Sequence, residues 1–274
     1  MNEIEKTFQS LNKQGEGALL AYVTAGDPKP KYTPQIVEAL VEGGADIIEL
    51  GIPFSDPIAD GPTIQAASVR ALRAGTTPKM TLEIAQGIKE KCAVPIVLLT
   101  YYNPIFRMGL KNFFSLAKTC HVDGVIVPDL PIEEAYEYKN LGRAHTIDTI
   151  FLATPSTPIG RLERIIDYTS GFLYLVSVFG VTGVRKNVQD LTIQQIKRFL
   201  PYTKNRIPLA VGFGISKPEH VKAIIKSGAD GAIVGSAFVN VIERNLCDIS
   251  KLPKEIELYA NKLKEATKLA YINS

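Results

Sequence analysis

The stretch "DIIELGIPFSDPIADGPTIQ", residues 46–65, reads as a short buried strand, an overlong loop and the start of a helix. Ile47, Ile48 and Leu50 make a run too short and too β-branched for a core helix. Glu49 lies inside that run. Alternation of period two sets Ile47 and Glu49 on one face and Ile48 and Leu50 on the other. Working outward, "GGADIIELG" (43–51) is echoed by "HVDGVIVPD" (121–129) and "SGADGAIVG" (227–235). Each places an aspartate at the head of an apolar run just after a helical segment, as repeated strand–helix units would.

Eight apolar runs fit that unit: 17–23, 46–50, 95–100, 123–127, 149–153, 172–177, 207–212 and 231–235. Segments of helical periodicity fall between them, near 31–43, 62–91 (two helices), 111–119, 132–142, 158–168, 190–200 and 217–227, with more helix after 236. "TPQIVEAL" at 33 opens one helix with an early proline, and "SKPE" at 216–219 opens another with a serine cap. Strands alternating with helices give a parallel sheet, and eight units predict a closed (β/α)₈ TIM barrel. "MNEIEKTFQSLNKQ" adds an N-terminal amphipathic helix, and the end of the chain adds a C-terminal one. No Pro/Ser-rich linker divides the chain, so residues 1–274 are read as one domain. An open doubly wound sheet is the alternative, but no GxGxxG follows the first run.

Composition narrows the partner. The 274 residues carry 31 basic and 28 acidic side chains, a net charge of +3, with no basic stripe for nucleic acid. No run approaches the ~20 apolar residues of a membrane span. Cys92, Cys120 and Cys247 lack metal-site or disulfide spacing, which suits a reducing cytoplasm. A small solute is the expected ligand.

In such a barrel the C-terminal ends of the strands form the active face. Glu49 ends the second strand, and since the other face must meet apolar helices, it should point inward. Burial would raise its pKa and ready it for acid–base work. Asp56 and Asp60 lie in a loop longer than the usual ~2–6 residues, where either is a catalytic group or merely caps a turn. Tyr174 in the sixth strand is placed inward, as a site residue or as core. The overlong segment 178–190 reads as a lid carrying Gly183. "VGFGIS" and "IVGSAF" end the seventh and eighth strands, where backbone N–H groups commonly cradle a phosphate. Gly212, Gly214, Gly235 and Ser236 are the candidates there. No histidine or lysine ends a strand, which argues against a Ser/His/Asp triad, a His-rich metal site or a Schiff base. No metal is expected. Proton transfer between carboxylates and a phosphorylated substrate remains.

"ELGIPFSDPIADGPTIQ", "TYYNPIF", "VPDLP", "GVTGVR" and "GFGIS", in this order, resemble the tryptophan synthase α subunit family, and the similarity runs from "TAGDP" (24–28) to "GSAFV" (235–239). The resemblance implies a (β/α)₈ lyase that cleaves indole-3-glycerol phosphate to indole and glyceraldehyde 3-phosphate. It implies Glu49 as general acid/base, Asp60 as the carboxylate on the indole nitrogen, and Tyr174 beside them. Gly183, Gly214, Gly235 and Ser236 match the phosphate cradle, and Tyr22, Leu99, Tyr101, Thr182 and Phe213 match the substrate pocket. It implies no cofactor on this chain. The partner it implies is a pyridoxal-phosphate β subunit in an α2β2 complex, meeting Pro53, Asp56, Asn103, Phe106, Asp129 and Pro131. Tyr22, "ATPST" (153–157) and Phe179 depart from the family's commonest pattern. A sugar-phosphate isomerase on the same barrel, or a non-catalytic barrel that activates a partner, are the competing readings.

Overall fold

The computed structural model describes residues 2–177, 185–212 and 214–268, without the side chains of 185–189. The first strand, β1 (Ala18–Thr24), pairs in parallel with β2 (Ile47–Gly51), which pairs with β3 (Ile96–Leu99), then β4 (Gly124–Ile126) and β5 (Asp148–Ile150). In the other direction β1 pairs with β9 (Gly231–Val234), followed by β8 (Leu209–Gly212), β7 (Leu173–Val176) and β6 (Leu152–Ala153). The two edges, β5 and β6, are separated only by Phe151, whose carbonyl accepts from Tyr174 N–H at 3.1 Å. They are therefore two halves of one barrel strand, and the sheet closes into the eight-stranded cylinder that the sequence predicts.

Helices α1 (Glu3–Lys13), α2 (Thr33–Glu42), α3 (Pro62–Arg73), α4 (Pro78–Lys89), α5 (Tyr102–Met108), α6 (Leu110–Thr119) and α7 (Tyr136–Ala144) occupy the first half. Helices α8 (Ile159–Tyr168), α9 (Arg185–Thr203), α10 (Pro218–Lys226), α11 (Ser236–Arg244) and α12 (Leu252–Lys268) complete the coat. Outward residues such as Leu19, Ala21, Ile48, Leu50 and Leu98 pack on these helices, whereas Leu20, Ile47, Val97, Ile126 and Ile233 fill the interior. Helix α1 plugs the N-terminal end. Asn2 caps it, accepting from Glu5 N–H at 2.9 Å, and Ile4, Phe8 and Leu11 on one face join the interior cluster. Burying three such side chains stabilises the barrel by about 1.5–3 kcal/mol each.

The echoed aspartates have a structural meaning. Asp46, Asp123 and Asp230 each accept the backbone N–H of the neighbouring strand's first turn of ladder, from Leu19, Ile96 and Leu209 at 2.7, 2.8 and 2.7 Å. Each carboxylate thus stands in for a carbonyl where the ladder begins, satisfying a donor that burial would leave unpaired. Lys264 of α12 bridges Asp46 at 2.9 Å, and Lys89 of α4 bridges Asp123 at 3.0 Å.

Two expectations are corrected, and a helix that the sequence reading does not include is added. Residues 102–108 form helix α5, made possible by Pro104 in its first turn and by Asp129, whose Oδ1 accepts Tyr102 N–H at 2.9 Å. The expected helix over 132–142 is a short 3₁₀ turn at Ile132–Glu134 followed by α7. Ser216 does not cap α10. Extended Lys217 is the cap residue and Pro218 starts the helix, where its missing N–H costs nothing.

Candidate active site

Glu49 is held between register partners Tyr22 on β1 and Val97 on β3. With Ile47 in the interior cluster and Ile48 and Leu50 in the outer one, its side chain points into the mouth of the barrel. It is 1% exposed, and among the described residues its Oε1 has no hydrogen-bond partner. A buried carboxylate left unpaired is costly to ionise. Burial pushes its pKa up from 4.5 to about 8, so it holds a proton at neutral pH.

Glu49 lines a cavity of about 90 Å³ together with Asp60, Tyr22, Leu99 and Tyr174. Asp60 ends the loop after β2, directly before Gly61, the cap residue of α3. Its burial raises the carboxyl to about 6, and the Tyr101 hydroxyl pulls in the other direction. The apolar wall comes from Ile64, Leu99 and Tyr22, which pack with Ala67 of α3 and Val239 of α11. Gly214, Gly235 and Ser236 line the same cavity, Gly235 next to Tyr22. Gly235 precedes α11, and the N–H groups of that helix's first turn have no carbonyl within the helix to meet. Such a terminus favours an anion. Gly214 has φ +74°, a conformation that favours glycine.

Behind this wall Arg70 of α3 grips buried Asp27 through Nε and Nη2 at 2.7 and 2.9 Å, and reaches Glu243 of α11 at 3.2 Å. The two helices that carry the carboxylate loop and the anion-binding end are thereby tied to each other and to the end of β1.

Eight of the residues singled out from sequence meet in the cavity: Glu49, Asp60, Tyr174, Gly214, Gly235, Ser236, Tyr22 and Leu99. Gly212 does not line it. A Cβ there would lie 2.3 Å from the Tyr174 hydroxyl, so this glycine makes room for the tyrosine ring. Tyr101 also stands behind the cavity, with its hydroxyl accepting Ala59 N–H at 2.9 Å. Thr182, Gly183, Phe213 and Phe179 lie outside the described residues. Reading the sequence missed Gly61, Ile64 and Ile233. Ile233 was findable, since it lies two residues before Gly235 on the same face of β9.

Pro53, Asp56 and Asn103 line a separate groove of about 510 Å³ on the same end of the barrel, with Phe54, Leu72 and Met108. Phe106 is 70% exposed and Ile58 83%, apolar surface in open water. Pro131, in the loop after β4, is exposed, and Asp129 of the same loop caps α5. A larger concavity, about 830 Å³, lies at the other end of the barrel between α1 and the end of α9. Its charged lining includes no strand-end group, so the smaller, apolar-walled cavity around Glu49 is the candidate site. Among the described residues no cluster of His, Cys, Asp or Glu suits a metal ion, and no helix is long and apolar enough to cross a membrane.

A family profile described as tryptophan synthase alpha chain matches residues 8–268. The tryptophan synthase alpha chain of Solibacter usitatus is 47% identical over 264 residues, covering 96% of this chain and 97% of that one. That of Arabidopsis thaliana is 43% identical over 263 residues, 96% of this chain and 94% of the relative. Among solved structures, tryptophan synthase subunit alpha from Legionella pneumophila superposes with a TM-score of 0.90 at 33% identity, covering 98% and 99% of the two chains. A chain from the tryptophan synthase a2b2 complex of Pyrococcus furiosus superposes with a TM-score of 0.84 at 43% identity, covering 90% and 98%.

Proposed function

Because the chain belongs to the tryptophan synthase alpha chain family, lyases that cleave indole-3-glycerol phosphate to indole and glyceraldehyde 3-phosphate, we propose that its cavity performs this cleavage with Glu49 and Asp60 as the working carboxylates. The observation that carries the reading is that buried Glu49, whose Oε1 has no hydrogen-bond partner among the described residues, lines one cavity with Asp60, Gly235 and Ser236.

The protonated carboxyl delivers its proton to indole C3. The ring becomes a cation that withdraws electrons from the bond to the side chain. Glu49, now a carboxylate, takes the proton of the adjacent hydroxyl. That O–H pair becomes the aldehyde carbonyl, and the electrons of the breaking C–C bond return to the ring to give indole. Glu49 ends as it began, protonated. Ionised Asp60 accepts from the ring N–H and offsets the transient positive charge. The phosphate rests on the N–H groups of Gly235 and Ser236 and beside Gly214. Tyr22, Leu99 and Ile64 cover the faces of the indole, and Tyr174 flanks the acid. Protonated indole is its own electron sink, so this chain needs no cofactor. Pyridoxal phosphate belongs to the partner.

That partner is a β subunit in an α2β2 assembly, meeting Pro53, Asp56, Asn103, Phe106 and Pro131. The water-exposed Phe106 and Ile58 support this face. Widely spaced cysteines fit a cytoplasmic setting. The isomerase and idle-barrel readings give way to family membership.

An indole-release assay on the purified chain, with and without a candidate β subunit, tests the assignment. Release is expected from the chain alone and to rise with the partner, and Glu49→Gln should abolish it while glycerol phosphate still binds. Unchanged turnover in that variant refutes the role of Glu49. The chain has no Trp to interfere with fluorescence detection.

A further inference from the structure

The loop 53–60 carries Asp60, yet little holds it. Its internal hydrogen bonds are short-range, Ile58 N–H to Asp56 and Asp60 N–H to Pro57, and Gln65 of α3 donates to the Asp60 carbonyl at 2.9 Å. Besides that bond to α3, a hydrogen bond joins the loop to the end of β3. It runs from Ala59 N–H to the hydroxyl of Tyr101.

Tyr101 is well placed to act as an anchor. It follows β3, where Thr100 N–H still bonds Ile126 of the next strand at 3.0 Å. Its side chain is 2% exposed and packs against Phe54, ring centroids 5.4 Å apart. A hydroxyl that accepts from Ala59 keeps its own proton for one acceptor, and the acceptor it faces is the carboxylate one residue on. Burial and that carboxylate hold the phenol well above its ordinary pKa, so the proton stays on throughout the working range. The other groups around Asp60 are Tyr22 from β1, Glu49 from β2 and Tyr174 from β7. The two tyrosines are likewise pushed upward, leaving Glu49 as the other group there that titrates near neutrality.

We propose that Tyr101 is a positioning residue for Asp60: its hydroxyl fixes the loop at Ala59 and donates its proton to the Asp60 carboxylate, keeping that carboxylate ionised and aimed at the cavity. This rests on the reading of Asp60 as the charged partner of the substrate ring. It assigns to Tyr101 a role other than touching substrate.

Tyr101→Phe removes the hydroxyl and keeps the ring against Phe54. In ligand-free protein with ¹³C-labelled aspartate carboxyls, the resonance lost in Asp60→Asn identifies Asp60. Its midpoint should rise by about one pH unit in Tyr101→Phe, the size expected for losing one hydrogen bond to the charged form. Indole release should then fall by about fivefold more at pH 6 than at pH 8, because ionised Asp60 becomes scarce on the acid side only. A difluorotyrosine at 101, a stronger donor on an unchanged ring, should move the midpoint downward and covers the case in which the Phe variant folds poorly. An unmoved midpoint, or a loss equal at both pH values, overturns the proposal. Full activity in Asp60→Asn would instead sink the reading of Asp60, and the carboxyl titration would still judge Tyr101.

Discussion

Replacing Glu49 by Gln should stabilise the chain in a pH-dependent way. The carboxyl ordinarily titrates near 4.5, and burial raises it to about 8 in the folded state. Between these values the folded chain keeps a proton that the unfolded chain has released. The folded state thus binds more protons, and stability must fall as pH rises through this window. Each unit is worth about 1.4 kcal/mol, so the full window amounts to at most about 5 kcal/mol, less whatever water entry relieves. Gln cannot titrate. Its own packing cost is measured below pH 4.5, where Glu49 is neutral in both states. Above that, the difference in unfolding free energy between variant and parent should climb, levelling off past pH 8. Urea unfolding at several pH values between 4 and 9, with equal slopes for the two proteins, gives the difference directly. Asp60 and Asp148, both raised to about 6 by burial, titrate in both proteins and cancel. Stability curves that run parallel across the whole range would mean that Glu49 is not held neutral, and the proton it delivers in the proposed reaction would have no source.

In the proposed reaction Glu49 and Asp60 together should set the pH profile of kcat/KM. The proposed reaction needs ionised Asp60 and protonated Glu49 together, so the profile should be a bell with limbs near 6 and near 8. An acid limb near 4 in a steady-state titration would remove Asp60 from the mechanism. Gly212→Ala should cut turnover at least tenfold and cost about 1–3 kcal/mol by overpacking, since the new Cβ would lie 2.3 Å from the Tyr174 hydroxyl and 2.6 Å from Cζ. In a Tyr174→Ala background the same change should add little to the melting-temperature loss, and an undiminished penalty there would place the clash elsewhere.

What sequence alone made legible is what depends on local pattern. Ile47, Ile48 and Leu50 with Glu49 among them define a strand and the inward face of the acid, and the structure places both as the alternation requires. The aspartate echo marked the strand starts, but not the reason for them. The N–H that Asp46 satisfies belongs to Leu19, 27 residues earlier, on a strand that adjacency in the fold alone brings near. Gly212, the last residue of β8, shows the same limit. Sequence supports a backbone that approaches a ligand, whereas the neighbouring strand supplies Tyr174, and that ring is what Gly212 accommodates. Helix α5 was hidden because its cap, Asp129, comes from the loop after the next strand. The contact of Tyr101 with the loop is hidden for a similar cause, its partner Ala59 lying 42 residues away.

The two ends of the barrel treat buried acids differently, and the contrast bears on why Glu49 is reactive. At the N-terminal end, burial raises Asp46 and Asp230 too, but each is given a backbone N–H, and Asp46 a lysine besides. There the α1 plug and the Lys264 and Lys89 bridges tie helices to strand starts. At the other end Glu49 receives no donor among the described residues, although Tyr22 is its register partner and Tyr174 lines the same cavity. The Tyr22 hydroxyl is committed to Thr24 at 3.1 Å instead. A fold able to satisfy three strand-entry carboxylates with one repeated device leaves Oε1 of the strand-exit carboxylate without a donor among the described residues. Its neutral form at pH 7 is then a consequence of where the donors are spent, and the stability given up at the mouth is supported by the closed, plugged end beneath it.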